Sequence, residues 1–240
     1  MPLLLTLLVG VFFLAGAVVA WRAHGREAVE VLSVAIAFGS LACVAALDLV
    51  PEVAEVAEEL GWLVALLLVA AGVIVLVVLD RAVPDHHGEG AHGEEDEAAH
   101  IGVMTVIAIS VHNLAEGAAI FTVASQDMSA GVALAVGVGL HNAPLGMLLF
   151  SAMERGRTHG IAVLAAAALS TFAGGLLMFL LGGVLDEAVM GGVVCVALGM
   201  IGYILLAELL PSMLRSRRPA LSALGVVIGA AFVLAGMLLE

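Results

Sequence analysis

Two short histidine–asparagine motifs contain the residues that are best suited to chemistry. The first is HNLAEG at 112–117, and the second is HNAPLG at 141–146. His112 and Glu116 are four residues apart, so on a helix they share one face, about 6 Å apart along the axis. One imidazole and one carboxylate in this arrangement can hold a divalent metal ion. Both motifs lie inside long apolar segments, where ionisable groups are costly and usually functional.

His141 lies at a matching depth in the second apolar segment and is a candidate third ligand. Asn113 and Asn142 follow the two histidines and offer amide oxygens beside them. A single buried histidine is more often a hydrogen-bonded core residue, but two copies, one with a glutamate four residues on, favour ligation. Neutral imidazole and carboxylate favour Zn, with Fe, Mn, Co, Ni and Cd as alternatives, over Ca or Mg.

The composition predicts an all-α membrane protein. Of the 240 residues, 63% are hydrophobic, and apolar runs of about 20 residues are long enough to cross a bilayer. The net charge of -13 argues against nucleic acid as a partner. The predicted transmembrane helices are spans 1 to 8, at roughly 2–21, 29–50, 61–79, 101–124, 130–151, 160–183, 188–210 and 220–239.

The arginines predict the orientation of these spans. All 8 cationic residues are arginines, and all of them lie in odd-numbered connections. They are Arg22, Arg26, Arg81, Arg155, Arg157, Arg215, Arg217 and Arg218. By the positive-inside rule the odd connections are cytoplasmic and both termini face outward. We expect an integral protein of a bacterial inner or plasma membrane.

Two segments repeat with opposite predicted direction across the membrane. The segment 37–52 aligns without gaps on 197–212, so that Asp48 meets Glu208 and each is followed three residues later by a proline. Inverted repeats around a midplane site are typical of secondary transporters. Asp48 and Glu208 are therefore candidates for the entry and exit of an ion path, with interfacial helix capping as the alternative.

Two acidic segments remain open to two interpretations. The connection 81–100 is rich in acids and histidines and is expected to be a disordered cytoplasmic loop. Its His86, His87, His92 and His100 are either loose metal ligands or part of a solvated linker. The glutamates at 52, 55, 58 and 59 either concentrate cations outside the membrane or form a solvated helix end.

The two motifs resemble the HNxPEG-type signatures of spans 4 and 5 in the ZIP (Zrt/Irt-like) divalent-metal transporters. The likeness extends to the eight spans, the outward termini, the His-rich loop and the acid–Leu–x–Pro ends of spans 2 and 7. The resemblance implies uptake of Zn or a related ion toward the cytoplasm. It also implies two inverted three-helix units flanking spans 4 and 5 (3+2+3), often in a homodimer, and movement of spans 1, 4, 5 and 6 against the other four.

The sequence departs from the family pattern at the second motif. Leu145 replaces the usual carboxylate, Ala115 replaces the proline of the first motif, and span 6 carries no acid around 170–175. Two dications a few ångströms apart repel strongly unless anions bridge them. We therefore expect one bound metal rather than two.

The expected function is metal transport rather than enzymatic catalysis. A non-transporting membrane metal sensor is the main alternative, because Leu145 removes a carboxylate and the loop is rich in histidine. An intramembrane metallohydrolase is less favoured, since the sequence has no HExxH motif and no separate general base once Glu116 is a ligand.

Overall fold

The computed structural model describes residues 1–23, 27–82, 93–156, 160–182 and 187–238. In these residues there is no β-strand, and 8 helical segments are long and apolar enough to cross a membrane. The prediction of an all-α, eight-helix membrane protein is confirmed. The helices are α1 (Pro2–Arg22), α2 (Glu27–Val44), α3 (Val50–Leu60), α4 (Trp62–Ala82), α5 (Gly93–Gln126), α6 (Met128–Gly156), α7 (Gly160–Leu181), α8 (Glu187–Tyr203), α9 (Leu210–Leu214) and α10 (Pro219–Met237).

Two π-helical turns interrupt long helices at the aligned segments of the sequence repeat. The first, Ala45–Leu49, joins α2 to α3, and the second, Ile204–Leu209, joins α8 to α9. The N–H group of the residue just before each proline reaches back five residues, from Val50 to Ala45 and from Leu210 to Leu205. Proline has no N–H to donate, so the helical ladder is rearranged beside it.

Pairs of helices pack at very short distance through glycine. Among them are α1 with α6, α5 with α7, α2 with α10, α4 with α8, and α1 with α7. A Cβ atom on Gly117 would lie 1.9 Å from the carbonyl oxygen of Thr171, and one on Gly146 would lie 1.9 Å from that of Phe13. Small residues let helix backbones approach in this way within a bilayer. Both motifs are thereby held against a neighbouring helix.

A very short connection sets the two motif helices antiparallel. Asp127 alone separates α5 from α6, and its Oδ1 accepts hydrogen bonds from the N–H groups of Ser129 (2.8 Å) and Ala130 (3.2 Å). This caps the start of α6, because the first N–H groups of a helix have no partner within it. Helix α6 continues through Pro144. The short turn places His112 and His141 at similar distances from the same end of the bundle.

Two predicted connections are shorter than expected. The glutamates at 52, 55, 58 and 59 belong to α3, which continues span 2 up to Gly61. The reason is amphipathicity: Val53, Val56 and Ala57 are buried along one side of α3 while the acids occupy the other. Helix α5 begins at Gly93, so 93–100 is helical rather than loop. Acidic residues follow Gly93 in the sequence of that first turn, where negative charge interacts favourably with the helix dipole.

Candidate metal site

Three predicted ligands form one buried group. The Nε2 atoms of His112 and His141 lie 2.9 Å and 2.7 Å from the same oxygen, Oε1 of Glu116. One ligand atom from each residue lies within 4.8 Å of the others. The exposed fractions are 2% for His112, 8% for Glu116 and 7% for His141. A buried carboxylate between two imidazoles is a donor set that suits a borderline cation such as Zn²⁺.

His112 has unused hydrogen-bonding capacity. Neither of its ring nitrogens has a hydrogen-bond partner of good geometry among the described residues, although Nε2 is close to the carboxylate. The two imidazole rings are 6.3 Å apart and inclined by 32°. A buried polar atom without a partner costs free energy, and a metal ion would satisfy it.

Asn113 braces the carboxylate. Its amide group lies between Glu116 and helix α7, and it is best oriented with the nitrogen donating to Glu116 Oε2 and to the carbonyl of Ile109, both at 3.3 Å. Its oxygen then lies 2.9 Å from the hydroxyl of Ser170. In this orientation Asn113 holds Glu116 in place instead of offering its oxygen to the group. The role of Asn113 as an amide ligand stays a prediction.

The second motif contributes a histidine to the group but no carboxylate. Asn142 is fully buried, and neither end of its amide has a hydrogen-bond partner among the described residues. The role of Asn142 as an amide ligand stays a prediction. Leu145, four residues after His141, is 1% exposed and belongs to the main hydrophobic core. Only one of the two motifs therefore provides an anion.

A cavity of about 460 Å³ leads to the group from one end of the bundle. His112, Glu116 and His141 line it together with apolar residues of α2, the first π-helical turn, α5, α6, α7, α8 and α10. All of these lie toward the end at which α5 joins α6, which we call the α5–α6 end. The arginines of the described residues belong to connections at the opposite end.

The two predicted path residues are placed differently. Asp48, in the first π-helical turn, lines the cavity, whereas Glu208, in the second, does not. Glu52 also lines the cavity, one helical turn beyond Asp48. The sequence reasoning assigned Glu52 to an external cluster and missed this. The signal was the i, i+4 spacing of Asp48 and Glu52, which becomes meaningful once the helix is known to continue past Pro51.

The predicted loop ligands are not tested by the structure. His86, His87 and His92 lie outside the described residues. His100 falls within α5, but its side chain also lies outside what the structure describes. Their role stays a prediction.

Comparison with known proteins gives a partial likeness. No protein-family model matches the chain. The chain is 35% identical over 71 residues to the zinc transporter ZupT of Xanthomonas axonopodis pv. citri (strain 306). The match covers 27% of this chain and 26% of that protein, so it spans about a quarter of the relative's length. Over that part, the chain is similar to a protein named for zinc transport.

Proposed function

We propose that the protein is a ZIP-type transporter that moves a divalent transition-metal ion, with Zn²⁺ as the main substrate, toward the cytoplasm. The observation that carries the proposal is the His112–Glu116–His141 group, buried near the middle of two membrane-spanning helices and reached by a cavity from one side. Intramembrane ionisable residues that face an accessible cavity are typical of ion pathways. The partial identity to a zinc transporter supports the same substrate.

The group is suited to one ion at a time. Glu116 is the single carboxylate among its three members, and the position that would supply another in the second motif is Leu145. A lone carboxylate leaves a bound dication with one uncompensated positive charge, and a second dication close by would be strongly repelled. Moderate affinity of this kind suits a transporter, since the ion must also leave.

The cavity is proposed to face the outside. Arg22, Arg81 and the arginines after α9 belong to connections opposite to the α5–α6 end, and arginine-rich connections favour the cytoplasm. The ion would then enter through the cavity, replace its water shell with the three side chains, and leave on the arginine side. Both termini would lie outside.

The helix pairing supports a 3+2+3 inverted repeat, in which α1 corresponds to α7, α2–α3 to α8–α9, α4 to α10, and α5 to α6. Under this correspondence, the close contact of α1 with α6 is equivalent to that of α7 with α5, and the contact of α2 with α10 is equivalent to that of α8 with α4. The two π-helical turns are equivalent to each other as well. Such a pseudo-symmetric pair of units allows alternating access by rocking around a fixed site. A homodimer, implied by the family resemblance, stays a prediction.

Zinc uptake into proteoliposomes tests the proposal. Purified protein is reconstituted into liposomes containing a zinc-sensitive fluorophore, and external Zn²⁺ is added to the wild type and to a His112→Ala/Glu116→Ala double variant. We expect saturable uptake by the wild type and background uptake by the variant. The matched control is Glu55→Gln, which removes an exposed charge from α3 outside the cavity lining, and we expect it to transport normally.

The outcomes separate the rival functions. Equal uptake by the wild type and the double variant would contradict the transport role of the group. Zinc binding by the wild type without flux would favour the membrane sensor. Metal-dependent hydrolysis of an added lipid or peptide would favour the metallohydrolase.

A further inference from the structure

Asp48 and Glu52 form an acidic pair on the wall of the cavity, apart from the His112–Glu116–His141 group. They occupy consecutive turns of one continuous helix, Asp48 in the first π-helical turn and Glu52 at the start of α3. Both side chains are exposed and line the cavity that also reaches His112. No cationic residue of the described chain lines this cavity. The pair therefore presents uncompensated negative charge to whatever enters.

An acidic pair at a solvated helix end would need no ligand, so a second observation matters. The imidazole of His112 is 2% exposed and lines the same cavity; its Nδ1 has no hydrogen-bond partner among the described residues, and its Nε2 lies 2.9 Å from Oε1 of Glu116 without good hydrogen-bond geometry. A buried imidazole of this kind can accept a cation that enters through the cavity. Asp48 and Glu52 then lie on the route of that cation.

The size and lining of the cavity indicate the form in which the cation arrives. Six waters occupy about 180 Å³ at roughly 30 Å³ each, so a cavity of about 460 Å³ has room for a hydrated ion. Most of the other lining residues are apolar, such as Val44, Leu49 and Val194. A hydrated ion among them has few polar partners other than the carboxylates, which can accept hydrogen bonds from its water shell or replace part of it.

We propose that Asp48 and Glu52 form an outer subsite that binds a hydrated divalent cation through oxygen atoms before the ion passes to the imidazole-containing site. The proposal rests on the proposed function for its place in a transport route, but not for the binding itself. The donor set differs in kind from the deeper one. Carboxylate and water oxygens accept Ca²⁺, Mg²⁺ and Mn²⁺ as well as Zn²⁺, whereas the deeper set with two imidazoles disfavours Ca²⁺. The outer subsite is therefore less selective than the inner one.

Manganese binding followed by electron paramagnetic resonance tests the subsite without requiring transport. Free Mn²⁺ is titrated against purified protein in the His112→Ala/Glu116→Ala background, which removes the deeper site. We expect this variant to bind Mn²⁺ that Ca²⁺ displaces, and we expect one Mn²⁺ fewer when Asp48→Asn and Glu52→Gln are added. The loop 81–100 is present in both proteins, so its contribution cancels.

The control changes the same number of charges elsewhere on the helix. Glu55→Gln with Glu59→Gln neutralises two exposed α3 glutamates that do not line the cavity, and we expect the Ca²⁺-displaceable Mn²⁺ to remain. Equal Mn²⁺ binding with and without the Asp48 and Glu52 changes would overturn the proposal. An equal loss in the control variant would also overturn it, because the effect would then be one of general surface charge.

Flux measurements place the subsite on the route. With the deeper site intact, Asp48→Asn/Glu52→Gln is expected to raise the KM for Zn²⁺ uptake about tenfold through loss of local cation concentration, to leave kcat nearly unchanged, and to abolish inhibition by Ca²⁺. If the wild type shows no flux, the proposed function fails while the Mn²⁺ titration still decides the subsite. An unchanged KM with retained Ca²⁺ inhibition would contradict the place of the Asp48–Glu52 subsite on the transport route.

Discussion

The two histidine–asparagine motifs begin alike and end differently, and the difference lies in how each is supported. On α5, Asn113 contacts both Glu116 and Ser170, so the carboxylate of Glu116 is held in place by a hydrogen bond. On α6, Asn142 has no hydrogen-bond partner among the described residues and Leu145 packs into the core. The first motif supplies charge and the second supplies one imidazole. A duplicated sequence pattern therefore does not imply a duplicated site.

The largest difference between the motifs is expected at the fourth residue after each histidine. Glu116→Gln removes the carboxylate that contacts both imidazoles, so the affinity for Zn²⁺ should fall by roughly 100-fold or more, beyond the effect typical of outer-shell residues. Leu145→Gln at the equivalent position should lower thermal stability, because it buries an amide in an apolar core, but change affinity far less. Isothermal titration and thermal unfolding in detergent measure the two effects. Similar losses of affinity in both variants would contradict the asymmetry.

A converse change tests whether one residue limits the number of ions. Leu145→Glu places a carboxylate where α6 lacks one, and we expect it to unfold at lower temperature without metal, since an unpaired buried charge is strongly destabilising. Zinc should restore much of that stability, and the stoichiometry should rise from one ion to two. Metal analysis after gel filtration and melting curves with and without Zn²⁺ measure this. A stoichiometry that stays at one would show that more than Leu145 excludes the second ion.

The asparagines are expected to differ to a smaller extent. Asn113→Leu removes the donor to Glu116, and loss of such an orienting contact should lower zinc affinity about tenfold. Asn142→Leu replaces an amide that has no partner, so it should leave affinity within about threefold and raise stability by about 1–3 kcal/mol, the cost of an unsatisfied buried group. A large loss of affinity in Asn142→Leu would instead support the predicted ligand role of Asn142.

The smallest difference is expected between the two glycines. Gly117 and Gly146 meet the backbones of α7 and α1 at the same distance, 1.9 Å from an added Cβ. Alanine at either position must push the helices apart, so each variant should lose about 1–3 kcal/mol or more of stability. Melting temperatures of Gly117→Ala and Gly146→Ala are expected to fall by similar amounts. Tolerance of one and not the other would break the proposed symmetry of the helix pairs.

Local pattern was sufficient for much of the fold. Apolar runs located eight membrane helices, and the spacing of His112 and Glu116 placed them on one face. The same patterns predict two helices that are too short, because acidic residues are typical of connections. In α3 the acids share a helix with buried Val53 and Val56, and in α5 they occupy the first turn. Acidic residues do not end a helix when its opposite face is buried, or when they lie in its first turn and interact favourably with the helix dipole.

The sequence by itself determined the membrane-spanning class, the helical pairing of His112 with Glu116, and the absence of a second carboxylate at Leu145, because these depend on composition and on the 3.6-residue period. Only the tertiary structure decided that His141 meets the same oxygen of Glu116, that Asn113 braces that carboxylate, and that Asp48 and Glu52 line the approach. Those contacts join distant parts of the chain. They depend on which helices glycine allows to approach, and no local period encodes that choice.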